Sequence, residues 1–284
     1  MCELCRILDN FFTRVPNFDA ASTEIKIAVR EIARHKDFEY DACCFRACGA
    51  ELALAPLFPV VTTDDGEPVH AFAGRVVLQL MNPLLVKDWV ARCEKHVACR
   101  PEHSTLDFDF SFRLIDVQEG RLVDAPRGAR YVALSYVWGG VKQVMLNKIT
   151  QFAHVGDAVR AEGRIVPRTI RDAIRLCQII GERYLWTDSL CIMQDDDFQT
   201  SNGAWSNADK MAQIPKMDII YGASSLTVIS ACGTDSNAGL PGVHLNSSRV
   251  TQTIGKIGDQ IFVSLRDDPM DPFWSSTWCQ RAWT

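Results

Sequence analysis

Tyr131-Val-Ala-Leu-Ser-Tyr-Val-Trp-Gly-Gly140 is the stretch on which the fold turns. From Tyr131 to Val137 every residue is apolar, aromatic or small, as in a strand buried on both faces, and the run stops at Trp138 followed by two glycines. Glycine there lets the backbone bend through positive φ or come close to a bound group, and Trp138 sets a large flat surface beside it. Such an end is either the rim of a site or an ordinary turn. The segments that follow decide between them.

Downstream, Pro167 starts a helix in which Ile170, Ala173, Ile174, Cys177 and Ile180 keep the 3.6-residue period until Gly181 closes it. Arg183 to Asp188 is a second strand, leading into Ser189-Leu-Cys-Ile-Met-Gln-Asp-Asp. A third unit repeats the plan, with a helix over 208–222 that Pro215 kinks or restarts and a strand from Ser225 to Ala231. Strand, helix, strand, helix, strand predicts an α/β fold with a parallel sheet and right-handed crossovers. Ligands of such sheets gather beyond the carboxyl ends of the strands, which here carry Trp138-Gly139-Gly140 and Asp188 to Asp196. Asp188 reads equally as a site carboxylate or as a turn and N-cap residue. Cys191 would be a nucleophile only with a base beside it, and no histidine lies close in sequence, so a packed thiol is the favoured reading. Gln194 and Asp195 to Asp197 read as a solvated loop.

Upstream, Phe112 to Val117 is a short strand ahead of the polar turn Glu119-Gly120-Arg121. Residues 1–104 differ from the rest, holding seven of the eleven cysteines and four of the six histidines. Ile25, Ala28, Val29, Ile32 and Ala33 predict an amphipathic helix over 22–35, Ala71 to Leu80 predicts a strand, and Pro83 opens a helix through Cys93. Cys2-x-x-Cys5 and Cys93-x-x-His96-x-x-Cys99 offer ligand types and spacings that zinc accepts. The two halves are about ninety residues apart, and buried thiols on helix faces are the favoured alternative.

The chain has 284 residues, 47% hydrophobic and 23% charged, the values of a folded globular protein. Its net charge of −5 gives no broad basic field for nucleic acid or an anionic membrane surface. The best apolar run, Ala50 to Val61, is broken by Glu51, Pro56 and Pro59, so no membrane span is expected. The N-terminus lacks a basic region followed by an apolar one, and the odd cysteine count reads as reduced thiols, which together predict a cytoplasmic protein.

Five blocks in order resemble the fungal heterokaryon incompatibility (HET) domain. They are Tyr131 to Gly139, Arg183-Tyr-Leu-Trp-Thr-Asp-Ser-Leu-Cys-Ile-Met-Gln194, Met217-x-x-Ile-Tyr221-x-Ala223 with Leu226-Thr-Val-Ile229, Gly239-Leu-Pro-Gly242, and Trp278-x-x-Arg281-x-Trp283-Thr284. The resemblance covers residues 131–284. The lead-in from Trp89 through Cys99 to Arg113-Leu-Ile-Asp-Val117 is similar to the segment that commonly precedes the domain. It implies a role in nonself recognition and regulated cell death, and a distant relation to TIR domains, flavodoxin-like α/β folds of which some hydrolyse NAD. Composition and periodicity make 1–104 an N-terminal mixed α+β Cys-rich region, of which residues 1–80 are not well covered by the resemblance; 105–130 is a lead-in strand and linker, and the resemblance implies a TIR/flavodoxin-like parallel sheet flanked by helices over 131–284. The ligand, a nucleotide such as NAD, would meet Tyr136, Trp138, Gly139, Gly140, Asp188, Cys191 and Gln194.

In catalytic TIR domains a glutamate assists loss of nicotinamide, because a fixed carboxylate opposes the positive charge of an oxocarbenium-like transition state. The last HET block usually runs on from Trp-Thr to Gln-Glu, whereas this sequence stops at Thr284. The expectation is therefore a C-terminally incomplete domain, or a decayed gene fragment, that hydrolyses NAD poorly, with Asp188 the remaining strand-end carboxylate. The competing expectation is a non-enzymatic module that associates with itself or with another incompatibility protein through Trp274, Trp278 and Trp283. A zinc hydrolase fits least, since His96 and His103 lack a His-x-x-x-His partner.

Overall fold

The computed structural model describes residues 26–31, 43–48, 57–59, 76–96, 108–148, 166–245, 247, 252, 254–257, 260–264 and 271–281. The chain divides into two compact units, Met1–Leu78 with Arg249–Pro272, and Gln79–Ser248 with Phe273–Thr284. The first unit begins with β1 (Lys26–Glu31), β2 (Cys43–Cys48) and β3 (Leu57–Pro59). The helix expected over 22–35 is corrected here, because residues 26–31 pair antiparallel with β2. Ile25, Ile27 and Val29 also alternate, and β-branched side chains that have a partner strand favour the period of two. Of the strand expected over 71–80, residues 76–80 are described and form none, and Val77, Leu78 and Leu80 are exposed.

In the second unit α1 (Pro83–Cys93) starts as expected at Pro83, with the Asn82 side chain accepting the Leu84 N–H at 3.0 Å. Next come β4 (Arg113–Asp116), β5 (Arg121–Asp124) and β6 (Val132–Ser135), the last buried along its whole length. Then follow α2 (Arg168–Ile180), β7 (Tyr184–Trp186), α3 (Asp188–Cys191), and the small hairpin of β8 (Phe198–Gln199) with β9 (Trp205–Ser206). As expected, Pro215 interrupts the next helix, leaving α4 (Ala208–Gln213), a 3-10 turn and α5 (Met217–Gly222) ahead of β10 (Leu226–Ile229). The chain then returns to the first unit with β11 (Ile254–Ile257) and β12 (Gln260–Ser264), which complete an antiparallel sheet of order β1-β2-β3-β12-β11.

The sheet of the second unit has the order β10-β6-β7-β4-β5. Strand β6 runs parallel to both β10 and β7, the arrangement the alternating periods predict. Beyond β7 the sheet turns antiparallel: β4 pairs antiparallel with β7, and β5 follows β4 across a tight turn too short for any crossover. Asp116 shapes that turn by accepting the N–H groups of Gln118 and Glu119 at 3.0 and 3.1 Å, and it also pairs with Arg183 at the start of β7. The fold is thus mixed α/β rather than wholly parallel. Helix α2 lays Ile170, Ala173, Cys177 and Ile180 into a core with Leu134, Leu185 and Trp186. The Tyr131 phenol donates to the Ile220 carbonyl and so ties α5 to the start of β6.

At the end of β6, Gly139 adopts φ +62°, and a Cβ there would lie 2.8 Å from the Asp235 Cα. Gly140 has open space around its Cβ position. Gly139→Ala is expected to cost about 1–2 kcal/mol or more, and Gly140→Ala less than about 0.5 kcal/mol. Urea unfolding of the two variants checks this, and equal stability would contradict the packing role of Gly139.

Candidate functional site

Three parallel strands must finish on the same edge of the sheet, and here β6 runs into Tyr136 and Trp138, β7 into Asp188, and β10 into Ser230. The Trp138 indole N–H donates across both Asp188 oxygens, at 3.1 Å to Oδ1 and 3.2 Å to Oδ2. Asp188 also opens α3, where its Oδ1 accepts the Ser189 N–H at 2.7 Å. The residue therefore serves both as a helix-start carboxylate and as a wall of a cavity of about 860 Å³. Trp138, Tyr221 and Trp278 give that cavity aromatic walls, with Ile192, Ile214 and Met217 among its aliphatic ones.

The C-terminal segment closes one side. Trp278 donates from Nε1 to the Ser135 hydroxyl at 2.8 Å. Arg281 donates to the Tyr136 carbonyl at 2.9 Å and to the Trp278 carbonyl at 3.2 Å, with its guanidinium 5.4 Å from the Trp278 ring centre. The Tyr136 phenol meets Ser189 Oγ at 2.9 Å and Gln143 Oε1 at 3.2 Å, fastening the end of β6 to α3.

Burial pushes the Asp188 carboxyl up to about 6, against the opposing pull of the Trp138 and Ser189 N–H groups and the Arg281 charge. A carboxyl near 6 can give or accept a proton close to neutrality. Burial, with a smaller contribution from the Asp188 charge, pushes Tyr221 up to about 12, and the same two causes raise Tyr136. Arg281 is lowered by burial, partly offset by Tyr221 and Asp188. Cys191 is pushed up to about 12 by burial and lies in the core, so its thiol stays protonated and packed.

Of the residues expected at the ligand, Tyr136, Trp138, Asp188 and Gln194 line the cavity. Gln194 donates its amide to the carbonyls of Ile192 at 2.9 Å and Asp188 at 3.1 Å. Gly139, Gly140 and Cys191 are not among the lining residues. Cys93 and His96 are exposed at the end of α1, Cys2, Cys5 and Cys99 lie outside the described residues, and no group of three or more metal-ligand side chains occurs among the described residues. Sequence reasoning assigned no ligand role to Ser135, Lys210, Asp218, Tyr221 or Arg281, all of which line the cavity. Ser135 had a usable signal as a hydroxyl inside an otherwise apolar run, and Arg281 as a cation set between tryptophans. Among the described residues no helix is long and apolar enough to cross a membrane.

A family model described as heterokaryon incompatibility protein (HET) matches residues 131–284, a span that holds every residue lining the cavity. No curated protein and no solved structure matches the chain.

The position of Asp188 has a consequence for stability. Its folded value of about 6 lies above its ordinary value of 3.8, so the folded chain holds the proton more tightly than the unfolded one. The carboxylate therefore costs stability above pH ~6, and the cost disappears as pH falls to ~4. Relative to Asp188→Asn, which keeps the shape without the charge, the parent chain is expected to gain on the order of 2 kcal/mol between pH ~7 and ~4 in urea unfolding. A difference that stays constant across that window would contradict the assignment.

Proposed function

The chain belongs to the heterokaryon incompatibility family, and we propose that its cavity binds a nucleotide such as NAD, as the ligand-sensing part of a module for nonself recognition and regulated cell death. The observation that carries this reading is the joining of Trp138 to Asp188 at the carboxyl edge of two neighbouring parallel strands, where α/β sheets hold their ligands. A cavity of about 860 Å³ falls in the size range of cofactor sites. Aromatic walls suit stacking of a base, and Asp188 suits ribose hydroxyls. Any turnover would draw on Asp188, which could oppose positive charge developing on the ribose as nicotinamide leaves.

A second reading has its own support. Trp205 and Trp274 are 61% and 60% exposed, as an association surface requires. The two readings separate in one set of measurements. Calorimetric titration with NAD is expected to give saturable binding, weakened at least about tenfold by Trp138→Ala in a chain that still folds. Nicotinamide release, followed in parallel, reports turnover. A folded chain with no NAD binding, whose self-association is abolished by Trp274→Ala, would replace the nucleotide reading with the interaction-module reading.

A further inference from the structure

Ile192 and Gln194 belong to one wall of the cavity, Lys210 and Ile214 to another, and the two walls lie on separate pieces of chain. Between them residues 197–206 run out into the β8–β9 hairpin and back, and at its base the Asp197 N–H bonds the Ser206 carbonyl at 2.8 Å. Chain continuity alone sets no fixed distance between the walls. Side chains at the start of α4 do.

Asn207 uses both ends of its amide. Its Oδ1 accepts the Lys210 N–H at 2.8 Å and so caps α4, while its Nδ2 donates to the carbonyls of Asp195 at 2.7 Å and Met193 at 3.0 Å. An N–H group at one end and two carbonyls at the other leave the amide a single orientation. Asp209 accepts the Met193 N–H at 2.7 Å and is itself held by Arg113 at 2.9 Å and Gln213 at 3.0 Å. Lys210 donates to the Gln194 carbonyl at 3.2 Å and to Asp196 at 2.6 Å. Asn207 is 2% exposed, so a loop that slipped away would leave a buried amide without its two acceptors.

We propose that Asn207 is a positioning residue of this site: its side-chain amide fixes the wall carrying Ile192 and Gln194 against the wall carrying Lys210 and Ile214, and so sets the width of the cavity. The inference rests on reading the cavity as a ligand site, and it adds a residue that does not line it. Asn207 acts through Met193 and Asp195, whose neighbours Ile192 and Gln194 do line it. Gln194 carries the effect on to Asp188, since its side-chain amide donates to the Asp188 carbonyl at 3.1 Å. A loosened loop admits water beside Asp188, whose carboxyl owes its raised value to burial.

Asn207→Ser separates the two uses of the side chain. A serine hydroxyl caps a helix about as well as asparagine, but it is too short to reach the Met193 and Asp195 carbonyls as well. Hydrogen exchange read by NMR on the full chain follows the backbone amides of Met193, Gln194 and Lys210. In the parent chain the three are expected to exchange within about tenfold of one another, as one unit. In Asn207→Ser the Lys210 amide is expected to keep its protection while those of Met193 and Gln194 exchange at least about tenfold faster. Carbon-13 titration is expected to find the Asp188 midpoint moved in that variant from about 6 toward 3.8. NAD that binds the parent chain is expected to bind the variant at least about fivefold more weakly. A residue serving only as a helix cap would leave Met193, Gln194 and Asp188 in Asn207→Ser as they are in the parent, and that result overturns the proposal. Loop amides that exchange more than about tenfold faster than Lys210 in the parent chain overturn it too, without any substitution. Faster loop exchange with an unmoved Asp188 midpoint also overturns it, because the loop then does not set the site. If NAD fails to bind the parent chain while the Asp188 midpoint falls in the variant, the nucleotide reading fails and this one stands. If NAD binds parent and variant alike, the nucleotide reading stands and this one fails.

Discussion

The hydrogen bond from the Trp138 indole to the Asp188 carboxylate is the contact on which the rest of the site depends. It can form only because β6 and β7 are adjacent and parallel, so that residues past their carboxyl ends meet on one edge. It also helps to make a half-buried carboxylate tolerable. Removing a carboxylate from water is costly, and the indole N–H, the Ser189 N–H and the Arg281 charge offset that cost only in part, which leaves the carboxyl near 6.

The same edge is completed by residues far away in sequence. Trp278 reaches Ser135 across 143 positions, and Arg281 reaches the carbonyl of Tyr136 across 145. The cavity is therefore a product of the whole span that matches the heterokaryon incompatibility family, from the first parallel strand to the last described tryptophan. Gly139 contributes by another route. Its positive φ and missing Cβ let the loop at Asp235 pack against the turn after Trp138, and the Ser236 N–H bonds the Trp138 carbonyl at 3.2 Å.

Much of this was legible in the residues, for physical reasons that differ by element. The buried run from Tyr131 could be only a central strand, and Pro167 and Gly181 bracket α2 where backbone chemistry requires it. Pro215 breaks its helix for the same kind of reason. The antiparallel side of the sheet was harder to see, since the strand over β4 carries no mark of direction and β5 is short and half-polar. Strand β1 carries both a helical and an alternating period, and only its pairing with β2 decides between them. In the site, Trp138, Asp188 and Gln194 followed from their places at strand ends. Tyr221 and Arg281 did not, because their roles arise from long-range packing that no local spacing encodes.

Asp188 is a half-buried carboxylate poised near neutrality by the opposition between burial and the Trp138 hydrogen bond. Carbon-13 NMR titration of the Asp188 side-chain carboxyl measures this directly. A midpoint near 6 is expected, moving upward in Trp138→Phe, where the ring remains and the N–H donor is lost. A midpoint close to the ordinary 3.8, unchanged by that substitution, would contradict it.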